Sequence, residues 1–307
     1  MYPYHLGVAN YIAEHFDVSD LRSAGASGGF TGAVTLAADV TEEEHWECLQ
    51  TAKELWASRL LGPFLIQTKE WMAPYYHVLL KHESALLEAQ RDGRITIGVT
   101  TIFPRESKWP LAHKRIDTFS SVKEFAYTVT CSQRILPFYR LPGKIEGQWT
   151  VDGGLSSLFT FPKGADPRSI VRVAPWGFWP LSDIHPSFPY AFYRFFMPPS
   201  RKDWEAFVSN GYDDARRNHH VFINKGFRPR QQCKANVDAQ PSSISQDGFR
   251  PVSLVVRFLA SIVLGLYLVM SGLWEVTSSI VSMYLYVVMI SPAKGAFWIG
   301  FCTFTDT

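Results

Sequence analysis

The stretch "LRSAGASGGFTGAVTLAA", residues 21–38, constrains this chain more than any other. Leu21 to Ala24 reads as a short strand, and Gly28 to Ala38 is small and helix-compatible. Between them lies Gly25-Ala26-Ser27-Gly28-Gly29, a G-x-S-x-G pattern. A strand that turns sharply into a helix exposes the side chain at the turn. Small neighbours let the backbone enter that strained geometry and let another molecule approach. The helix that follows aims its N-terminus at Ser27, which favours negative charge developing there. A serine hydroxyl is a poor nucleophile unless a base takes its proton, so the pattern asks for a partner elsewhere. Read alone, it also fits a tight packing turn with no chemistry.

The rest of the first 227 residues alternates between helix and strand signals. Val8, Ile12 and Phe16 recur at helical spacing, so the opening is an amphipathic helix. Thr41 and Glu44 stand in capping-box spacing ahead of a long helix. "RITIGVTTIF", 94–103, is β-branched and alternating, hence a strand. Residues 122–130 read as helical and 203–217 as a last helix. "GQWTV", 147–151, is a strand leading into Asp152-Gly153-Gly154, and "SIVRVA", 169–174, reads as another buried strand. This alternation predicts an α/β fold with a mostly parallel sheet covered on both faces. In such a sheet the C-terminal strand ends gather at one edge, where sites form. Asp152 then shares an edge with Ser27, and its carboxylate is placed to accept the serine proton. The plainer reading of Asp152 is an Asp-Gly turn.

Charge and cysteine content narrow the function classes. The net charge is +2 and no dense basic run occurs, which gives no argument for nucleic acid. Cys48, Cys131, Cys233 and Cys302 form no C-x-x-C pair and have no His at zinc-ligand spacing, so no metal site is expected. The start, "MYPYHLGVANYIAEHF", has no basic region followed by an apolar core and does not read as a secretory signal. Residues 228–250 are polar and read as a linker; 251–291 are hydrophobic; 292–307 are a tail. Within the hydrophobic zone, 252–274 is long enough for a span of roughly 20 residues, and 276–290 is shorter and richer in serine. The pair reads as a helical hairpin dipping into or through a membrane, with a buried helical pair as the alternative. Basic residues flank both ends, which predicts that both face the cytosol.

Several stretches, taken together and in order, resemble the patatin-like phospholipases, most closely the branch containing adipose triglyceride lipase and adiponutrin. "YHLGVANYI" is similar to that family's first helix and "SAGASGGF" to its nucleophile elbow. "LGPF", "GRITIGVTTI" and "TCSQRILPFY" precede "VDGGL" as they do there, and "VRVAPWGFWPLSDIHPS" and "GYDDARR" follow. The resemblance covers residues 4 to 220. It implies a three-layer α/β/α catalytic domain over 1–227 and hydrolysis of a carboxylic ester in a lipid, such as a triacylglycerol or phospholipid. Ser27 would be the nucleophile, Asp152 the proton acceptor and the Gly28 N–H an oxyanion donor, with Gly25, Gly29, Gly153 and Gly154 as motif glycines and no cofactor. It also implies residence at a membrane or lipid-droplet surface, on the cytosolic face of the endoplasmic reticulum or on the droplet. The family carries a first strand and a G-x-G-x-x-G loop ahead of "YHLGV", and here only Gly7 stands near that place. The expectation is therefore a sheet lacking its first strand. Two alternatives stay open: a non-catalytic relative that binds lipid or a protein partner, and an α/β-hydrolase triad using His185, His219 or His220.

Overall fold

The strand Ile95–Ile102 (β2) is buried along almost its whole length, and the rest of the sheet is organised around it. The computed structural model describes residues 2–57, 68–107, 111–135, 142–157, 159–175, 182–187, 190 and 198–230. The chain divides into two units, Met1–Asp247 and Gly248–Thr307. The second lies outside the described residues, and the expected hairpin over 252–290 lies there with it. Among the described residues no helix is long and apolar enough to cross a membrane.

The described part of the first unit is mixed α/β. Its strands are Ser23–Ala26 (β1), β2, Leu111–Ile116 (β3), Gly143–Ile145 (β4) and Gln148–Val151 (β5). Its helices are Tyr2–His15 (α1), Phe30–Ala38 (α2), Glu42–Ala57 (α3), Thr68–Lys81 (α4), Glu83–Arg91 (α5), Val122–Ser132 (α6), Arg201–Arg217 (α7) and His219–Asn224 (α8). The opening helix and the last long helix fall where periodicity puts them, and a strand precedes each glycine motif as expected, β1 lying two residues beyond the expected Leu21–Ala24. The capping box is also present: the Thr41 hydroxyl accepts the Glu44 N–H at 3.3 Å, and the Glu44 carboxylate accepts the Thr41 N–H at 3.0 Å.

Two expectations need correction. The sheet is mixed, with β1–β2 as its one parallel pair among the described strands; β2–β3, β2–β5 and β4–β5 are antiparallel. The connections explain this. The segment between β2 and β3 is too short for the crossover that a parallel neighbour needs. Glu146 and Gly147, both at positive φ (49° and 75°), make a two-residue hairpin turn between β4 and β5. The second correction is residues 169–174, which are β-branched but form no strand. Only a single bridge joins Val173 to Ile184. The Asp183 carboxylate accepts the Arg172 N–H at 2.8 Å and also grips its guanidinium, so a side chain occupies the donor that a ladder would use. β3 was not foreseen, because "LAHKRI" alternates weakly and carries three basic or imidazole groups.

Strand register fixes the rest. β3 pairs with Ile97–Ile102 along one edge of β2. β1 (opposite Ile95–Gly98) and β5 (opposite Thr100 and Thr101) must then share the other edge. One face of β2, carrying Ile95, Ile97 and Val99, packs with α2, α4, α5 and α6 in the larger core. A second core joins α1, α7 and α8 through Tyr4, Val8, Phe16, Ala215 and Phe222, and Leu36 of α2 packs against it.

α1 and α7 cross so closely that each uses a glycine at the contact. A Cβ on Gly7 would lie 1.9 Å from the Val208 carbonyl oxygen, and one on Gly211 2.1 Å from that of Tyr4. Beside the crossing, the Tyr4 hydroxyl donates to the buried Asp214 carboxylate at 2.9 Å. Gly211→Ala sets two effects against each other. Alanine favours a helix interior by about 1 kcal/mol, while forcing the helices apart costs about 1–3 kcal/mol. Backbone cannot yield as a side chain tip can, so a net loss is expected, seen as a lower urea midpoint with unchanged slope. A midpoint that rises would show that the crossing is not tight.

Candidate active site

β1 runs parallel to β2 and β5 runs antiparallel to it along the same edge, so their C-terminal ends approach each other. β1 stops opposite Gly98 and β5 stops opposite Thr100, on either side of Val99. Ser27 is the first residue beyond β1, and Asp152 the first beyond β5. The expected gathering of parallel C-terminal ends does not occur; Ser27 and Asp152 come together because the two strands meet head to head along one side of β2.

Ser27 turns the chain with φ 50°, in the left-handed region that a non-glycine residue rarely adopts. A 3₁₀ turn, Ser27–Gly29, leads directly into α2. Gly25 is required by the sharpness of this elbow: a Cβ there would sit 2.4 Å from the Gly29 carbonyl oxygen. Gly153 is required by the strand junction, since its Cβ would lie 2.2 Å from the Gly98 carbonyl oxygen and 2.8 Å from the Ala26 Cβ. Gly28 opens the first helical turn, where N–H groups lack intrahelical partners. The Thr31 hydroxyl donates to the Gly28 carbonyl at 2.9 Å and fixes that peptide. Ser27, Gly28 and Gly29 are all partly exposed, so the elbow opens to solvent.

Asp152 is only 4% exposed. Burial pushes its carboxyl up from 3.8 to about 6, against the opposing pull of the Ser27 hydroxyl and the Gly154 N–H, both of which favour the charged form. The Gly154 N–H donates to Oδ1 at 2.8 Å. Oδ2 makes no hydrogen bond of good geometry. The Ser27 hydroxyl is therefore close enough to favour the charged carboxylate without being locked onto it.

Residues not foreseen from the sequence hold both groups. The end of α6 clamps the junction: the Ser27 N–H donates to Ser132 Oγ at 2.9 Å, and the Ser132 hydroxyl donates to the Gly98 carbonyl at 2.5 Å. Two residues on, the Arg134 carbonyl accepts the Asp152 N–H at 3.0 Å. From the other side Thr100 donates to the Asp152 carbonyl at 2.6 Å and accepts the Ser156 N–H at 3.1 Å. Ser156 Oγ lies 3.3 Å from Nδ1 of His113. Thr100 is one of three buried threonines of β2, each of which must find a partner, so the sequence signals a polar contact there without singling out this residue. Beside the elbow stands His5 of α1, its Nε2 4.0 Å from where a Cβ on Gly29 would be. Burial pushes this imidazole down to about 4, so it is neutral at pH 7.

The histidines of the triad alternative are engaged elsewhere. His219 Nδ1 pairs with the Tyr11 hydroxyl at 2.7 Å, and His185 Nδ1 lies 3.1 Å from the Pro186 carbonyl. His220 is exposed on α8. Among the described residues no group of three or more His, Cys, Asp or Glu side chains is arranged to hold a metal ion.

The raised Asp152 value carries a stability cost. The fold favours the protonated form, so the penalty is absent near pH 4 and complete above about pH 6. At 1.36 kcal/mol per pKa unit the cost is about 3 kcal/mol. Asp152→Asn is expected to be more stable than the native chain by about that amount at pH 7.5, with the gap closing as pH falls from 6 towards 4. Urea unfolding at the two pH values measures it, and equal stability at pH 7.5 would mean that the carboxylate is not a buried charge. No protein-family model matches the chain, and no curated protein matches it in sequence.

Proposed function

We propose that this chain is a serine acyl hydrolase of patatin type, cleaving carboxylic esters of lipids with Ser27 as nucleophile and Asp152 as base. The observation that carries the reading is the junction on β2. A serine at positive φ on a strand-to-helix elbow stands beside a buried carboxylate whose pKa is raised towards the working range of a general base. A packing turn needs neither feature.

The reaction follows from these groups. Ser27 Oγ attacks the ester carbonyl carbon as its proton passes to Asp152. The oxyanion forms where the Gly28 N–H and the positive end of α2 face it. Collapse breaks the bond to the alcohol, which leaves with the proton from Asp152, and an acyl group remains on Ser27. Water then gives its proton to Asp152 and attacks the acyl carbon. The fatty acid departs as Ser27 regains the proton. An alcohol or lysolipid in place of water would make the same steps an acyl transfer.

The three-layer patatin architecture belongs to this proposal, supported by helices on one face of the sheet and the α1–α2–α7 packing beyond. A lipid substrate and a membrane or droplet surface as partner come from the sequence resemblance. A second reading, lipid binding without turnover, is favoured by the loose Oδ2 of Asp152 and by the engagement of the Ser27 N–H with Ser132, which removes it as an oxyanion donor.

A fluorophosphonate probe separates the two. The native chain is expected to be labelled and Ser27→Ala to be unlabelled; absence of labelling in the folded native chain would sink the hydrolase reading. For turnover of a soluble short-chain ester, kcat/KM is expected to rise with pH through about 6, where Asp152 ionises, and then to level off. Asp152→Asn is expected to lose about 10²–10⁴ in rate. A profile with no inflection near pH 6 would remove Asp152 as the base.

A further inference from the structure

We propose that the end of the sheet beside this site is a docking surface for a lipid bilayer bearing anionic headgroups. The inference rests on the reading of the neighbouring site as one that acts on lipid esters, and it names the surface from which the substrate is taken. Its basis is a cross-strand row. Ile102 of β2 pairs with Leu111 of β3, and Lys144 of β4 pairs with Trp149 of β5. Thr101 pairs with Thr150, so Trp149 falls beside Ile102. Directly paired residues point to the same face of a sheet. Leu111, Ile102, Trp149 and Lys144 therefore form one line across four strands.

Most of this line lies open. Leu111 is 43% exposed and Trp149 52%. Phe103, immediately after Ile102, is 78% exposed and turns the chain at φ 47°. Leu155, three residues beyond Asp152, is 59% exposed. Leu111, Ile102 and Trp149 adjoin one another along the row, and adjoining exposed apolar side chains of this size mark an interaction surface. The Lys144 ammonium sits 5.6 Å from the centre of the Trp149 ring. An aromatic ring carrying a cation is suited to a membrane interface, where the ring enters the headgroup layer and the cation meets phosphate or carboxylate. Glu146, the acidic residue of the same hairpin, is paired with Lys114 at 2.6 Å, so its charge is compensated.

Size decides the occupant. These side chains offer about 500 Å² at most, well short of the roughly 800 Å² per partner that a standard protein interface buries. A bilayer has no such threshold; attachment grows with the apolar area buried and with the attraction of cations to anionic headgroups.

The test uses the full chain with Cys233→Ser and Cys302→Ser, because Cys48 and Cys131 are buried. A polarity-sensitive nitrobenzoxadiazole label is attached through Trp149→Cys or, on an exposed position of α7, through Lys202→Cys. Phosphatidylcholine vesicles with phosphatidylserine are expected to shift the emission at position 149 to the blue, more than vesicles of phosphatidylcholine alone. Position 202 is expected not to shift, and Lys144→Glu is expected to abolish the preference for phosphatidylserine. No shift at 149, whether or not the chain sediments with vesicles, overturns the proposal. So does an equal shift at 202, or a lipid-independent shift that grows with protein concentration, which would mean self-association. The readout needs no turnover, so it is independent of whether Ser27 reacts with the fluorophosphonate.

Discussion

Two strands approaching along one edge of β2 set where everything else must go. A strand has two edges. Once β3 takes one, β1 and β5 must divide the other between them. They stop one residue short of collision, and the chain leaves the sheet at both ends. The backbone groups freed at such a gap must find partners. Ser132 supplies them, accepting from the Ser27 N–H and donating to the Gly98 carbonyl, while the Arg134 carbonyl takes the Asp152 N–H. The same hydrogen bonds that repair a broken edge also aim a serine and a carboxylate at one point.

The helices make this gap possible at a distance. The smallness of α2 lets it follow the elbow so closely that Gly32 comes 3.2 Å from the His5 carbonyl oxygen, measured from an added Cβ. α1 is in turn pressed against α7 through the reciprocal glycines. The elbow therefore rests on a stack of backbones with few long side chains between them. Such a stack yields little, and a serine held at φ 50° needs a support that does not yield.

Much of this was legible in the sequence, and the failures have particular causes. Periodicity located α1, β2, α6 and α7, because each buries a continuous stripe or ribbon. The glycine patterns located Ser27 and Asp152, because small residues mark close approach whatever the fold. Strand direction was not legible. It depended on a hairpin turn at Glu146-Gly147 and on a connection too short to cross over, and those signals were weaker than the helix–strand alternation around them. Residues 169–174 misled because β propensity describes a surface waiting for neighbours, and Asp183 had already taken the backbone donor. Ser132 and Thr100 sit among other buried threonines in the sequence, which does not single them out. Their partners lie far away in the chain, and no local pattern names them.

The meeting of β1 and β5 also bears on how the molecule comes into being. The Ser27 segment and its β2 partner are made early, but the Ser132 clamp arrives only with α6 and the carboxylate only with β5, after β3, α6 and β4 have been made. A long-range contact of this kind forms late, because the intervening loop must be closed first. On the ribosome the serine therefore emerges well ahead of its clamp and of the neighbouring carboxylate, and a nascent or half-folded chain carries the elbow segment without either.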